Sequence, residues 1–501
     1  MKQHFKRLSK HTIIYGLGDV IIKAIAFILI PLYTEHLTPA DYGELSLLQA
    51  IEIVLPIILS FGFNSAILKV FHDYEDQFDR QEVVSTALIF ILIIALPICL
   101  LLFNSASFFA RLIRFNSPEA ATYYLQLIFI SAFFSLFRLT ALSVLRAYEQ
   151  GIHYTVINII HFTLLVSMNI LFVAILKQKV AGIVQSSAIT SAVVFLGITT
   201  VMIKRIRLSF SRQKLRELLA FGLPLVPGGL AVWTLTLADR YLLKFLSTTE
   251  EVGLYEIGYK FGMMLNMLLI HPFRTAWLPF MFSIQKDAAA KRIYSVVLTY
   301  FLCLAAWLWL GISALGHEAV ILFTKPAFYA GYQSISLIAL ANLFYGVYYT
   351  VDVGVLVKGK TTAYAAITAI GALIDIALAY FLIPDFGMMG AAFAKVLAYA
   401  VLASLMYVVS QKYYPINYEI SRILKLLVLT AIIYWITTLI QLESIWHNII
   451  IKVVLLLLFP VLLFLIGFFT DREKKVAGDF MKKVTHSIRR RNENPHSGET
   501  D

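Results

Sequence analysis

Apolar runs long enough to cross a lipid bilayer recur along nearly the whole chain. "VVSTALIFILIIALPICLLLF" (83–103) and "IIIKVVLLLLFPVLLFLIGFF" (449–469) are two of them, each near the roughly 20 residues needed to span the hydrocarbon core. In hydrocarbon a segment must satisfy its own backbone N–H and C=O groups, so uninterrupted apolar runs of this length fold as helices. Only 14% of the 501 residues are charged and 59% are hydrophobic, whereas a soluble domain carries about 25% charged residues. The fold class is therefore all-α: a polytopic membrane protein with about fourteen transmembrane helices. The expected spans are 10–34, 43–70, 83–104, 119–145, 154–176, 181–203, 218–244, 253–282, 291–315, 332–357, 362–383, 388–410, 422–441 and 448–469.

The net charge of +12 does not point to nucleic acid, because it is unevenly placed. Lys and Arg collect in "KRIRLSFSRQKLRE" (204–217) and in the tail "DREKKVAGDFMKKVTHSIRRR" (471–491), the bias that keeps basic loops in the cytoplasm. Both termini are thus expected inside, with 471–501 a basic cytoplasmic tail that becomes disordered in composition after Asn492. The start "MKQHFKRLSKHTIIYGLGDVIIK" is basic like a signal peptide, but Asp19 and Lys23 interrupt its apolar run and no small-residue cleavage site stands out. It reads as a retained first span. The longest outside loops, 104–118 and 316–331, leave no room for an inserted soluble domain. Cys99 and Cys303 fall within spans, where small apolar packing is their expected role. No metal-ligand spacing occurs, so no metal or other cofactor is expected.

The two halves echo each other at an offset of about 210 residues. "PADYGELSLLQAI" (39–51) aligns with "TEEVGLYEIGYKF" (249–261), matching Gly43 to Gly253. "VLRAYEQGIHYT" (144–155) parallels "VLVKGKTTAYAA" (355–366), and "VAGIVQSSAI" (180–189) parallels "MMGAAFAKVL" (388–397). Six spans separate matched positions, so the repeats share one orientation and should enclose a cavity at their interface. The expected organisation is a six-helix lobe over 1–210, a second over 211–415, and two further helices within 416–470.

"LTPADYGELSLLQA", its partner "ADRYLLKFLSTTEEVGLYEIGYKF" and "KPAFYAGYQS", set in this six-plus-six-plus-two layout, resemble the polysaccharide exporters of the multidrug/oligosaccharidyl-lipid/polysaccharide (MOP) superfamily. The branch most similar is the Wzx-type flippases, with the lipid II flippase and the MATE transporters as relatives. The resemblance implies a V-shaped, two-lobed transporter in the bacterial inner membrane that works by alternating access. Its cargo would be an undecaprenyl-diphosphate-linked oligosaccharide, moved from the cytoplasmic to the periplasmic leaflet. A polysaccharide polymerase and chain-length machinery are implied partners, and H+ or Na+ is an implied coupling ion.

Ionisable residues inside spans are functional candidates, since a charge at the bilayer centre costs roughly 2.5–3.5 kcal/mol even on insertion scales. They are Asp19, Lys23, Glu52, Arg138, Asp239, Arg240, Lys244, Lys260, Arg274, Asp352, Asp375, Lys395 and Lys452. Lys23, Arg138, Arg240, Lys260 and Arg274 are the candidate substrate-binding residues, because a diphosphate is anionic and an Arg guanidinium can grip it through two N–H groups at once. Asp19, Glu52, Asp239 and Asp352 are the candidates for coupling or charge balance. Glu256, Lys260, Met263, Met267, His271 and Arg274 follow at steps of three or four, as a stripe along one face of span 8. Arg240, Lys260 and Arg274 outnumber the acids near them in sequence.

Competing readings exist for several of these residues. Asp19 and Lys23 can neutralise one another at i,i+4, and Arg138 and Asp352 can pair across helices for stability. Lys69, Lys244 and Lys452 can snorkel to an interface. Tyr345, Tyr348 and Tyr349 suit sugar stacking, but belt or packing roles suit them better. "FGLPLVPGGL" (221–230) cannot keep a regular helical ladder and reads as a hinge or, equally, a static kink, as does the milder "YGLG" (15–18). A MATE-type drug exporter is the rival function on the same fold. A membrane-embedded polymerase or ligase, the rival from another class, is disfavoured by the short outside loops.

Overall fold

The computed structural model describes residues 27, 29–202, 207, 209–440, 442–471 and 473–474, and among these there is no strand. Most of the first span, with Asp19, Lys23 and "YGLG", lies outside the described residues. Eleven helical stretches among those described are long and apolar enough to cross a membrane. Three differences separate this from the expected fourteen, the first being that span 1 lies mostly outside the described residues. One stretch, Thr361–Tyr413, holds spans 11 and 12 joined through a kink at Gly387 (φ 52°, ψ −132°), a backbone conformation open to glycine and strained for other residues. Span 8 is broken by a π-helical turn, Asn266–Ile270, so neither part alone has the length of a span.

The first lobe contains α1 (Leu29–His36), α2 (Pro39–Leu59), α3 (Phe63–Asp73), α4 (Gln77–Asn104), α5 (Ala106–Leu112), α6 (Pro118–Ala147), α7 (Gly151–Asn169) and α8 (Lys179–Met202). Next come α9 (Arg212–Gly222), α10 (Val226–Leu246), α11 (Thr249–Gly262), α12 (His271–Ile284) and α13 (Ala290–Phe323). A 3-10 segment, Pro326–Ser334, leads into α14 (Ile335–Val351), the short α15 (Val353–Val357) and α16 (Thr361–Tyr413). The last two helices, α17 (Ile420–Leu439) and α18 (Ile445–Leu465), pack on α13.

The repeat is visible in the helix starts. Thr38 caps α2 in a reciprocal box with Asp41, and Thr248 caps α11 by accepting from the Glu251 N–H, each satisfying orphan donors of a first turn. On α4, the third expected span, Leu92, Ile93, Leu96, Leu100 and Leu101 are exposed, as an apolar solvent requires.

"FGLPLVPGGL" is a real interruption: α9 ends at Gly222, Leu223–Leu225 is 3-10, and α10 begins at Val226. α9 packs on α3 and α4 of the first lobe, while α10 packs on α16 of the second. Buried Lys214 holds α9 in place through Asp79 and Glu82, each at 2.6 Å, and Tyr74 donates to Glu217 at 2.9 Å. The basic bias predicts that Ser211, at the start of α9, lies on the cytoplasmic side and Thr248 on the other. Single cysteines at these two positions, in a variant lacking Cys99 and Cys303, should react with an impermeant thiol reagent from opposite faces of the membrane. Labelling of both from one face would overturn the span count between them.

Candidate functional site

The lobes meet where the matched glycines meet. α2 and α11 cross so closely that a Cβ on Gly43 would lie 2.0 Å from the Thr249 carbonyl oxygen, and one on Gly253 would lie 1.9 Å from that of Pro39. Real Cβ atoms do not approach backbone so closely, so the crossing demands glycine on both helices. Around it, the Lys260 ammonium donates to the Tyr42 hydroxyl at 2.7 Å, and the Tyr42 ring packs edge-on against Phe328. Lys325 pairs with Glu35 at 2.8 Å, and Lys244 donates to Asn116 at 3.0 Å. All these contacts join the two lobes at the helix ends marked by Thr38 and Thr248.

A buried ionic network lies next to the crossing. The Arg240 guanidinium pairs with Glu256 at 2.7 Å and with Asp239 at 3.0 Å, and it donates to Ser46 at 3.0 Å and the Thr236 carbonyl at 2.8 Å. The Tyr259 ring lies 4.2 Å from its central carbon. Asp239 in turn pairs with Lys395 at 3.1 Å and accepts from Tyr255. Lys395 also meets Asp375 at 3.3 Å and the Leu235 carbonyl at 2.6 Å. Arg240 and Lys395 are 2% and 1% exposed. Lys260, 3.9 Å from Glu256, brings the network to three cations against three carboxylates.

This corrects the expected shortage of acids: Arg240 has Asp239 and Glu256, Lys260 has Glu256, and Arg274 has Asp352 at 2.7 Å. Arg274 also lies 4.4 Å from the Tyr349 ring. Arg138 and Asp352, for which pairing across helices is the competing reading, do not pair with each other: Arg274 on α12 takes Asp352, while Arg138 stands on α6. Lys452 does not snorkel; it is buried against Glu318 at 2.5 Å. Lys69 pairs with Asp73 on the surface. The span 8 stripe divides at the π turn, which shifts the helical register: Glu256 and Lys260 serve the seam, whereas Arg274 serves α14. Tyr348 is 1% exposed and bonds to Thr368 at 2.9 Å, which is a packing role.

Inside the first lobe is a cavity of about 480 Å³ lined by Glu52, Asn64, Arg138, His161, Asn169 and Ser187, among others. Glu52 accepts from Ser131 and from Ser187, the latter at 2.6 Å. The Arg138 Nε and Asn64 Oδ1 atoms are buried with no hydrogen-bond partner among the described residues. Lys395, Asp375 and Glu256 were visible as charges in the sequence, but their place in one network with Arg240 was not. The available signal was the repeat offset: Ser46 and Glu256, 210 residues apart, are equivalent positions, and they bond at 3.1 Å.

The glycine crossing and the buried charge beside it are set in a polytopic helical membrane fold that known transporters share. The structure of the lipid II flippase MurJ in an inward closed conformation superposes with TM-score 0.73, at 14% identity over 91% of this chain and 98% of that one. An inward-facing multidrug resistance MATE transporter superposes with TM-score 0.66, at 16% identity over 81% and 97%. The chain belongs to the family described as polysaccharide biosynthesis protein, which matches residues 8–285. A protein of the Lsg locus of Haemophilus influenzae is 23% identical over 310 residues, 59% of this chain and 72% of that protein.

Proposed function

We propose that this protein flips an undecaprenyl-diphosphate-linked oligosaccharide from the cytoplasmic to the periplasmic leaflet of the bacterial inner membrane by alternating access. Membership of the polysaccharide biosynthesis family favours this cargo over the cationic drugs of the MATE reading. The observation that carries the reading is Arg138. Its buried Nε has no partner among the described residues, and it faces a cavity of about 480 Å³, within the size of small-ligand clefts. A diphosphate oxygen would satisfy that donor.

Arg138, Lys260 and Arg274 are the residues proposed to meet the anionic headgroup, and the last two have side chains 27% and 18% exposed. Lys23 belongs to the same proposed set. Arg240, with its N–H groups already engaged, serves by holding the seam rather than by gripping cargo. Glu52, Asp239, Asp352 and Asp19 remain the proposed coupling or charge-balancing acids for H+ or Na+. A polymerase with its chain-length machinery would take up the product.

Flipping of lipid-linked sugars in proteoliposomes tests the proposal. Arg138→Ala should slow flipping about tenfold or more, the scale of one lost hydrogen bond to a charged group, without lowering the melting midpoint. Arg138→Lys should recover only part, since a point charge replaces a fork of donors. Wild-type flipping by Arg138→Ala would remove Arg138 from the path. Export of cationic dyes without any flipping would favour the MATE reading.

A further inference from the structure

A second polar cavity, of about 550 Å³, lies between α13, the 3-10 segment Pro326–Ser334, α17 and α18. It is at the same end of the helices as the glycine crossing, which is the periplasmic face under the proposed topology. Glu318 is 2% exposed at its wall, and only one of its oxygens is used: Oε1 meets Lys452 at 2.5 Å, whereas Oε2 has no hydrogen-bond partner among the described residues. The Ser313 hydroxyl, also at the wall, is likewise buried without one. A buried acceptor left unmade costs about 1–3 kcal/mol, so both atoms call for a donor from within the cavity.

The remaining wall narrows the chemistry. Glu318 and Lys452 neutralise each other, so the cavity has no net charge with which to hold a phosphate. A metal ion would face one carboxylate already shared with an ammonium. An apolar chain would bury the free polar atoms. What the wall offers is hydroxyls (Ser313, Ser336), an exposed amide (Gln333) and aromatic rings (Tyr332, Tyr434). His317 packs edge-on against Tyr332 at 4.6 Å between ring centres. Hydroxyls and amides can both give and accept hydrogen bonds, and aromatic faces cover the C–H faces of a sugar ring.

We propose that this cavity is a glycan subsite that receives neutral sugar residues of the cargo on the outward face. The inference rests on the proposed flippase function. It places the sugars at α13 and α17–α18, away from the cations proposed for the headgroup.

The test uses the full-length protein in nanodiscs. The probe is the lipid-free oligosaccharide released by mild acid from the host's own lipid-linked pool, and binding is read by titration calorimetry. Wild-type protein should bind it. Gln333→Ala, an exposed change, and Ser313→Leu, which fills the cavity, should each weaken binding about tenfold or more with the melting midpoint unchanged. Absence of binding to wild-type protein, or wild-type affinity in both cavity variants, would overturn the proposal and leave a water-filled recess that solvates Glu318. Flipping measured on the same preparations separates the two readings. A protein that flips while its glycan binding ignores these variants loses only the subsite; one that binds through them and never flips loses the flippase function and keeps the subsite.

Discussion

Arg240→Ala should unfold the core of the molecule before it says anything about transport. The substitution leaves Glu256 and Asp239 buried beside Lys395 with one cation removed, and breaking one partner from a buried ion pair costs about 3–5 kcal/mol. In a membrane protein that loss appears as low abundance and a lowered melting midpoint, because unfolding is followed by aggregation. Asp239→Asn should be milder, since Arg240 keeps Glu256 and Lys395 keeps Asp375. The double change Arg240→Met with Glu256→Leu should recover much of the lost stability, because it removes the unpaired charge together with its partner. An abundant Arg240→Ala protein with a wild-type melting midpoint, deficient only in flipping, would return Arg240 to the cargo-binding set.

The second large effect is expected at the glycine crossing. Alanine at Gly253 would bring its Cβ to 1.9 Å from the Pro39 carbonyl oxygen, and alanine at Gly43 would bring one to 2.0 Å from that of Thr249. Backbone carbonyls of two capped helices cannot step aside, so α2 and α11 must separate. Gly253→Ala should therefore loosen the contacts around the crossing while each lobe keeps its own core. The surface pair Glu35 and Lys325, at 2.8 Å, provides the reporter. Cysteines at these positions should be joined by a short bifunctional thiol reagent in the parent protein and much less in Gly253→Ala. Flipping should fall with it. Unchanged crosslinking and flipping would mean that the helices can cross at a greater distance without consequence.

The spans were legible because hydropathy is a local property: a run such as 83–103 must be a helix in lipid whatever surrounds it. The glycine crossing was partly legible, since the repeat matched Gly43 to Gly253 before any contact between them was known. The ionic network was not. Arg240 finds Ser46 across 194 positions of sequence, and Lys395 finds Asp375 only because the kink at Gly387 turns two spans back on each other. The π turn at Asn266–Ile270 escaped detection for another reason: its residues are as apolar as those of the helices on either side, and an extra residue per turn leaves no trace in composition. A stripe counted at steps of three and four across it therefore joined Glu256 and Lys260, which serve the seam, to Arg274, which serves α14.

The docking of α9 changes what counts as a half of this molecule. By sequence α9 opens the second repeat, yet Lys214 and Glu217 fasten it to α3 and α4 in the first. The backbones around Gly62 and Gly222 touch there so closely that a Cβ on either would lie within 2.4 Å of the other segment's carbonyl oxygen. The second repeat thus holds the first by an arm of its own, much as exchanged segments interlock the subunits of a swapped dimer. The covalent connection between Met202 and Ser209 is then not what keeps the halves together. Two fragments divided in that connection would still carry complementary surfaces at both ends of the helices, the arm at one and the paired glycines at the other.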